Sequence, residues 1–301
     1  MLRKVLLPVA AIVVIGLAAF WFLTSPATVS ADSLGPHTPN LANGKTMFLA
    51  GDCSSCHAVP LQADSTRLGG GLGLVSKFGT FYVPNISADP KDGIGSWTEA
   101  QFVTAMKKGV SPEGNHLYPA FPYTSFQRMK PDDLRDLFAY LKSLPPVSGP
   151  EHENNVPFPM NVRRLVGGWK LLYLDGEEFK PGSSKSAQWN RGAYLINGPA
   201  HCAECHSPRN SLGAIIPGKR FAGNPNVFGG PGFPDLTKLK KWSQTDFAEM
   251  LATGLTADGG RVGGPMGEVV RTTSQLSAED RAAMAEYLVS LPTAATGGNA
   301  D

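Results

Sequence analysis

The chain has 301 residues, enough for two domains of ordinary size, and 42% of them are apolar, so each half can bury a core. The formal net charge of +2 is not concentrated in long runs of one sign, which removes the electrostatic reason to expect nucleic acid as a partner. The 34 glycines and 25 prolines predict short helices joined by many loops, rather than a long helical bundle or a continuous sheet.

The first predicted element is an uninterrupted apolar run at residues 5–24, VLLPVAAIVVIGLAAFWFLT. Its length is about that of a helix that crosses a bilayer. Arg3 and Lys4 precede it, so the positive-inside rule places the following chain outside the cytoplasm. Cleavage as a signal peptide is the alternative, because VSA at 29–31 fits a small-residue cleavage site. We therefore predict that residues 1–33 are a membrane anchor or signal segment, with the rest of the chain on the far side of the membrane from the cytoplasm.

All four cysteines fall in two CxxCH motifs, CSSCH at 53–57 and CAECH at 202–206. CxxCH is the attachment sequence of c-type haem: the two thiols form thioethers to one porphyrin, and the histidine becomes the proximal iron ligand. A shared zinc site or a redox dithiol is disfavoured, because the motifs lie roughly 150 residues apart and no βαβ pattern surrounds them. The predicted attachment residues are Cys53, Cys56, His57, Cys202, Cys205 and His206.

The two motifs belong to an internal repeat. The CxxCH histidines are 149 positions apart, GSWTEAQF and KKWSQTDF align at an offset of 145, and the final YLxSLP segments align at 147. This pattern predicts a duplicated domain of roughly 100 residues, at 34–147 and 191–295. A linker at 148–190 joins the copies, and a tail at 296–301 follows them.

Each copy is predicted to contain a short helix that leads into CxxCH, a glycine-rich loop, a second helix, another loop and a final helix. The second helix of the first copy starts near Trp97 and places Phe102 and Met106 on one face. Pro131 is predicted in the first turn of the final helix of the first copy. Ser277 is the predicted N-cap of the final helix of the second copy.

The chain resembles the class I cytochrome c family over residues 36–293, a fold in which the first and last helices pack together over a haem. More narrowly, it resembles the cytochrome subunits of membrane-bound bacterial dehydrogenases for alcohols, gluconate, aldehydes or nicotinate. The segments that carry this resemblance are VPNISADPKDGIGSWTEAQF, GNHLYPAFPYTSF, NRGAYLINGPAHCAECHSPRNSLGA and GGPMGEVV. The predicted fold class is therefore all-α, with two tandem class I cytochrome c domains after an N-terminal transmembrane helix. Alcohol and gluconate members carry three haems, whereas this chain has motifs for two covalently bound haem c groups.

Electron-transfer cytochromes c usually have His/Met iron ligation, and the resemblance implies the same here. Met266, in GGPMGEVV, is the candidate in the second copy. The offset of 145 places Phe121 at the matching position of the first copy, and phenylalanine cannot bind iron. Met129, eight residues later, is the candidate there; His116, an open coordination position and the other methionines of the first copy are the alternatives. The predicted iron ligands are His57, Met129, His206 and Met266.

Two further expectations concern histidines. A backbone carbonyl close after each motif, near Pro60 or Pro208, is expected to orient the proximal imidazole. His37, His152 and His201 are expected to be solvated side chains.

The sequence thus predicts an electron carrier and not an enzyme, since it contains no paired acid/base or nucleophile constellation. The expected partners are the catalytic subunit of a periplasmic dehydrogenase and the quinone or terminal-oxidase side of the respiratory chain, with the membrane bound through the N-terminal helix. A di-haem peroxidase is the alternative from another class, because Phe121 raises the question of an open haem. A freestanding soluble carrier is a second alternative.

Overall fold

A computed structural model describes residues 2–149, 152–225 and 232–292, with side chains from residue 5 onward, and the predicted tail at 296–301 lies outside the described residues. The first half contains α1 (Leu2–Leu23), α2 (Leu41–Ala50), α3 (Cys53–His57), β1 (Gly73–Ser76), β2 (Gly79–Tyr82), α4 (Glu99–Lys108), α5 (Tyr123–Phe126) and α6 (Pro131–Ser143). The second half contains α7 (Arg163–Tyr173), α8 (Ala187–Asn197), α9 (Ala203–His206), α10 (Gln244–Thr253), α11 (Pro265–Thr273) and α12 (Ala278–Val289).

The described chain is mostly helical, and two similar helical units follow the N-terminal helix, as the sequence predicted. The exception is the antiparallel β1–β2 hairpin, which pairs Gly73 with Tyr82 and Ser76 with Gly79. This hairpin occupies part of the glycine-rich loop after the first CxxCH motif. It extends to the linker, because Thr80 forms an isolated bridge with Asn155.

Helix α1 is exposed along most of its length. Within the described residues, its stretch Val5–Leu23 is long and apolar enough to cross a membrane, and none of it is buried. The residues that follow are held by the first helical unit: the carbonyl oxygen of Thr24 accepts a hydrogen bond from His116 Nε2 at 2.9 Å. The backbone N–H of Val29 donates to Thr104 Oγ1, also at 2.9 Å. The segment after α1 is thus part of the fold of the first unit.

The first and last helices of each unit cross closely at a glycine, α2 with α6 and α8 with α12. A Cβ added to Gly44 would overlap the backbone carbonyl of Asp136, and one added to Gly192 would overlap that of Ala283. Such backbone-to-backbone approach leaves no space for a side chain. The two glycines, 148 positions apart in the repeat, are therefore required by the helix crossing.

The helix starts follow from local capping. Thr98 and Gln101 form a reciprocal capping box at the start of α4, and Ser243 begins α10 with the same motif. Phe102 and Met106 are buried on one face of α4, as predicted. The two further predicted starts are also confirmed, with Pro131 as the first residue of α6 and Ser277 as the N-cap of α12.

The loop after the second helix repeats in three dimensions. An isolated antiparallel bridge joins Val110 to His116, and a second one joins Leu255 to Arg261 at the same offset of 145. The structural register of the two units therefore matches the sequence alignment in the segment that leads to the predicted distal ligands.

Candidate haem centres

Each CxxCH motif forms a short helix that begins after a left-handed turn. Asp52, immediately before the first motif, has φ of +47°, and His201, immediately before the second, has φ of +40°. A single left-handed residue reverses the chain direction between the preceding helix and the motif. The turn sets the two cysteines and the histidine of each motif at the end of α2 and of α8.

Each proximal histidine is oriented by a backbone carbonyl from a distant loop. His57 Nδ1 donates to the carbonyl oxygen of Pro84 at 2.9 Å, and His206 Nδ1 donates to that of Pro234, also at 2.9 Å. Because a carbonyl oxygen only accepts, Nδ1 must carry the proton, and Nε2 then carries the lone pair. This tautomer is the one that binds a metal through Nε2.

The expected source of that carbonyl was wrong. It lies 27 and 28 residues after the histidine, not near Pro60 or Pro208. Between each histidine and its distant carbonyl, a glycine with left-handed φ bonds back to the histidine backbone. Gly70 (φ +70°) donates its N–H to the carbonyl oxygen of His57 at 2.8 Å. Gly223 (φ +78°) donates its N–H to the carbonyl oxygen of His206 at 2.9 Å. Spacing within the motif carries no signal for a contact made across so long a loop.

The side chains of both motifs are the groups that covalent haem attachment uses. Burial lowers the pKa of His57 to about 4, and burial also lowers the pKa of His206, so both imidazoles are neutral at neutral pH. Burial raises the pKa of Cys53 and that of Cys202 to about 12, so these thiols are protonated, and neither is in a disulfide. Two free thiols beside one neutral imidazole nitrogen are the donor set that haem c needs, and the residues present fit that group.

In the second unit the structure places Met266 at the start of α11. It is the second residue of this helix, after Pro265, and its side chain is partly buried against the core. The other methionines of this unit are Met250 in α10 and Met284 in α12, and both are buried within the helix packing. Met266 is thus the methionine of this unit that lies at a loop-to-helix junction.

In the first unit Phe121 takes the position that matches Met266, and its ring packs 5.4 Å from that of Phe126 between centroids. Met129 lies three residues after the end of α5 and is completely buried. Its backbone carbonyl accepts a hydrogen bond from the ammonium of Lys107 at 3.0 Å. The buried ammonium group of Lys107 therefore holds the backbone of the segment that carries the predicted ligand.

The alternatives to Met129 have other roles in the structure. Met47 and Met106 lie inside α2 and α4, whereas Met129, which is equally buried in the core, lies in the loop between α5 and α6. Both ring nitrogens of His116 are occupied, because Nε2 donates to the carbonyl of Thr24 and Nδ1 accepts from Lys170 Nζ at 3.1 Å. His116 is therefore a structural link between the N-terminal segment and α7.

The two motifs face each other across the boundary between the units. Burial, the carboxylate of Asp52 and the nearby thiol of Cys205 together raise the pKa of Cys56 to about 11. The buried carboxylate of Glu204, inside the second motif, accepts hydrogen bonds from Thr124 Oγ1 at 2.7 Å and Ser125 Oγ at 2.8 Å, both in α5 of the first unit. The attachment helix of one unit is thus bonded to the distal segment of the other.

The reverse contact is also present. Asp52, beside the first motif, accepts a hydrogen bond from Thr272 Oγ1 of α11 at 3.1 Å. His201, beside the second motif, donates from Nε2 to the carbonyl of Gly51 at 3.2 Å and packs edge-on against Phe126. Each unit therefore places its distal segment against the attachment turn of its neighbour.

Sequence reasoning missed these interface residues. Of the three histidines expected to be solvated, two are bonded within the fold, His201 as described and His37 to Asp136 at 2.7 Å. His152 is exposed, as expected, with its ring centroid 5.4 Å from that of Tyr82. The acidic residue between the cysteines of the second motif was the available signal, since a carboxylate beside an apolar haem requires a hydrogen-bonding partner.

Comparison with known proteins agrees with this geometry. The cytochrome c family model matches residues 41–145 and 190–292, which together make up more than half of the chain. These two ranges contain one CxxCH motif and one candidate methionine each.

Curated relatives include a diheme cytochrome c-type protein of Cereibacter sphaeroides, 42% identical over 97% of this chain and 99% of that protein. A nicotinate dehydrogenase subunit of Pseudomonas putida is 43% identical over 83% of this chain but 21% of its own length. The fructose dehydrogenase cytochrome subunit of Gluconobacter japonicus is 34% identical over 91% of this chain and 56% of its own length. The chain thus spans nearly all of the first relative and at most about half of the other two. From its two matched regions and its near full-length relative, the chain belongs to the cytochrome c family.

Proposed function

We propose that this chain is the di-haem electron-transfer subunit of a periplasmic dehydrogenase, anchored by α1 in the bacterial inner membrane with both haem domains in the periplasm. It takes electrons from the catalytic subunit and delivers them to the quinone or terminal-oxidase side of the respiratory chain. We propose the domain bounds 34–147 and 191–295, with a linker at 148–190.

The contact between the two attachment turns carries this proposal. Glu204, in the second motif, accepts a hydrogen bond from α5, and Asp52, just before the first motif, accepts one from α11. Two redox groups attached at these turns are held close together by a rigid, hydrogen-bonded boundary, which is what stepwise electron transfer requires. A domain pair joined by a flexible linker would not fix that separation.

Covalently attached haem c supplies one-electron chemistry at iron, and the chain supplies the ligands and the environment. Cys53 and Cys56 hold the first group, and the second pair of cysteines holds the other. His57 and His206 present an oriented Nε2 to iron. We assign Met129 and Met266 as the residues that would supply the second protein ligand to each iron, where a soft thioether would favour ferrous iron and raise the potential.

Retention of the N-terminal helix is supported by the contacts that follow it. Cleavage at 29–31 would remove Thr24, whose side chain and carbonyl are buried against the first domain. It would also remove the backbone donor of Val29 to Thr104. A signal peptide is discarded after export and has no reason to contribute to the mature fold.

The dehydrogenase partner is supported by the relatives, whose names include nicotinate and fructose dehydrogenases and quinone-dependent alcohol dehydrogenase. The experiment is to purify the chain from membranes, count its haem c groups by the pyridine haemochrome spectrum, and identify the co-purifying subunit. Two haems and a dehydrogenase subunit whose substrate reduces both haems are the expected result.

The same preparation tests the peroxidase alternative. In the oxidised protein we expect a sulfur-to-iron charge-transfer band whose intensity accounts for both haems. A high-spin ferric signal from half of the haem, together with turnover of peroxide, would establish the peroxidase and reject the electron carrier. Recovery of a processed chain in the soluble fraction, without a dehydrogenase, would establish a freestanding carrier.

A further inference from the structure

Away from the haem centres, α7 and the residues just before it form an exposed apolar surface, which we call the α7 face. Its exposed side chains are Phe158, Met160, Val162, Leu165, Leu171 and Leu172. The opposite side of the helix is buried against the first domain through Val166, Gly167 and Lys170. Leu165 and Leu172 are two helical turns apart and therefore lie on the same side. Phe158 is 79% exposed and Leu172 is 69% exposed, so the described chain leaves this surface uncovered.

The α7 face adjoins the end of α1. The ring of Phe20 lies against Gly168, where an added Cβ would come within 3.1 Å of the ring. The guanidinium of Arg164 stacks over the ring of Trp21, 4.2 Å from its centroid. Helix α7 therefore packs across the end of the apolar N-terminal helix, at its aromatic residues.

This junction is held rigidly. Arg164 Nη2 donates to Ser25 Oγ at 3.1 Å, just after α1. Lys170 Nζ, from the buried side of α7, donates to the carbonyls of Lys108 at 2.7 Å and Gly109 at 2.5 Å at the end of α4. The level of α7 relative to the end of α1 is therefore set by the fold and not by a flexible connection.

We infer that the α7 face rests on the outer surface of the lipid bilayer, with its leucines inserted at the level of the headgroups. This inference rests on the proposed anchoring by α1. If α1 spans the bilayer, Trp21 lies in the interfacial aromatic belt, and α7, packed against it, lies at the same depth. Amphipathic interfacial helices bury their apolar side about 5–10 Å into the boundary between headgroups and acyl chains.

The same argument decides between lipid and a protein as the occupant. A surface in contact with the emerging end of a membrane helix is adjacent to the bilayer before any partner binds. Contact at α1 and at α7 would hold the two haem domains in one orientation over the membrane.

The test is a depth measurement by electron paramagnetic resonance on the full-length haem protein in phosphatidylethanolamine/phosphatidylglycerol vesicles, without any dehydrogenase. Single spin labels are placed at Leu165→Cys and Leu172→Cys on the α7 face. Val13→Cys in α1 reports on anchoring, and Val289→Cys on the final helix is the matched exposed apolar control. Each labelled variant must retain the wild-type haem spectrum, which establishes that it is folded.

We expect the ratio of oxygen to nickel-chelate accessibility at 165 and 172 to be several-fold higher than at 289, and highest at 13. A lipid-exposed label at 13 with water-exposed labels at 165 and 172 would overturn the inference while leaving the anchor intact. Labels at 165 and 172 that are shielded from both reagents would also overturn it, since a protein then covers the face. A water-exposed label at 13 would reject both the anchor and the inference, but would not affect the electron-transfer role, which the haem spectra and reduction report separately.

Discussion

The two haem domains agree in their proximal halves and differ in their distal halves. Both orient the imidazole by a proline carbonyl, at Pro84 and Pro234, and both cross their outer helices at a glycine. On the distal side, the first domain has the short α5 with Met129 after its end, and the second has the longer α11 with Met266 at its start. In the proximal half the CxxCH motif and the carbonyl contact are the same in both domains, whereas the two candidate methionines lie at opposite ends of a distal helix.

The backbone around Met129 is held by a side chain that has no counterpart in the second domain. Lys107 donates to the carbonyls of Gln127 and Met129 and forms an ion pair with Glu178 of the linker at 2.6 Å. In the second domain the matching residue is Ala252, and the candidate methionine is held by the first turn of its own helix. The domain whose candidate methionine lies eight residues later is thus the one in which a buried cation from the preceding helix holds the methionine segment.

The largest expected effect is the loss of the sulfur-to-iron band of one haem at a time. In Met129→Ala we expect the sulfur-to-iron band to fall to the intensity of one haem, and in Met266→Ala the same loss at the other haem. The potential of the affected haem should fall by roughly 0.1 V or more, because axial ligands tune haem potentials over about 0.8 V. Redox titration monitored by visible absorption measures both.

Met160→Ala is the control for that pair, since Met160 is at the surface of the linker. It should leave the band and both potentials unchanged. If either ligand variant retains the full two-haem band, the assignment of that methionine is wrong.

The next largest effect concerns the helix crossing at a glycine, which both domains share. Gly44→Ala and Gly192→Ala insert a Cβ into a backbone contact, and overpacking of this kind costs about 1–3 kcal/mol or more in the free energy of unfolding. Denaturant unfolding of the holo-protein should show comparable losses in both variants. Gly149→Ala, where the space around the added Cβ is open, should be near neutral. A loss in one domain alone would mean that the two helix crossings are not equivalent.

A smaller effect should appear in the first domain alone. Lys107→Met keeps the length of the side chain but removes the donor to the ligand segment, a charged buried hydrogen bond worth about 1.5–3 kcal/mol. We expect the sulfur band of the first haem to melt at a lower temperature while that of the second is unchanged. The exposed Lys180→Met is the control. Equal melting of the two bands in Lys107→Met would contradict a role in holding Met129.

The sequence predicted those parts of the molecule that depend on short-range patterns. CxxCH, the repeat register, the helix start near Trp97, the cap at Ser277 and the anchor-like helix all depend on neighbouring residues. The carbonyls of Pro84 and Pro234 and the interface bonds of Glu204 could not be predicted, since each joins elements that only the fold brings together. The partners of His37 and His201 could not be predicted either, because residue type alone does not show where a loop packs.

The smallest expected effect distinguishes how the two domains cap their second helix. In the second domain Arg261, from the adjacent turn, donates to the carbonyl of Thr253 at 3.3 Å. His116 takes the place of Arg261 in the first domain and does not make this bond, and Lys170 from α7 donates to the helix end instead. Burial lowers the pKa of Lys170 from 10.5 to about 7.

The sign of the pH dependence follows from this shift. Between about pH 7 and pH 10 the unfolded chain keeps the Lys170 proton that the folded chain has lost, so the free energy of unfolding rises with pH in this window. The slope from this single group is at most about 1.4 kcal/mol per pH unit, and it disappears below pH 7 because both states are then protonated. Guanidinium unfolding of detergent-solubilised holo-protein at pH 7.5 and 9 should therefore give a shallower pH slope for Lys170→Met than for the wild type. Arg261→Met should keep the wild-type slope, since arginine does not titrate in this range, and identical slopes in all three proteins would show that Lys170 stays charged in the folded chain.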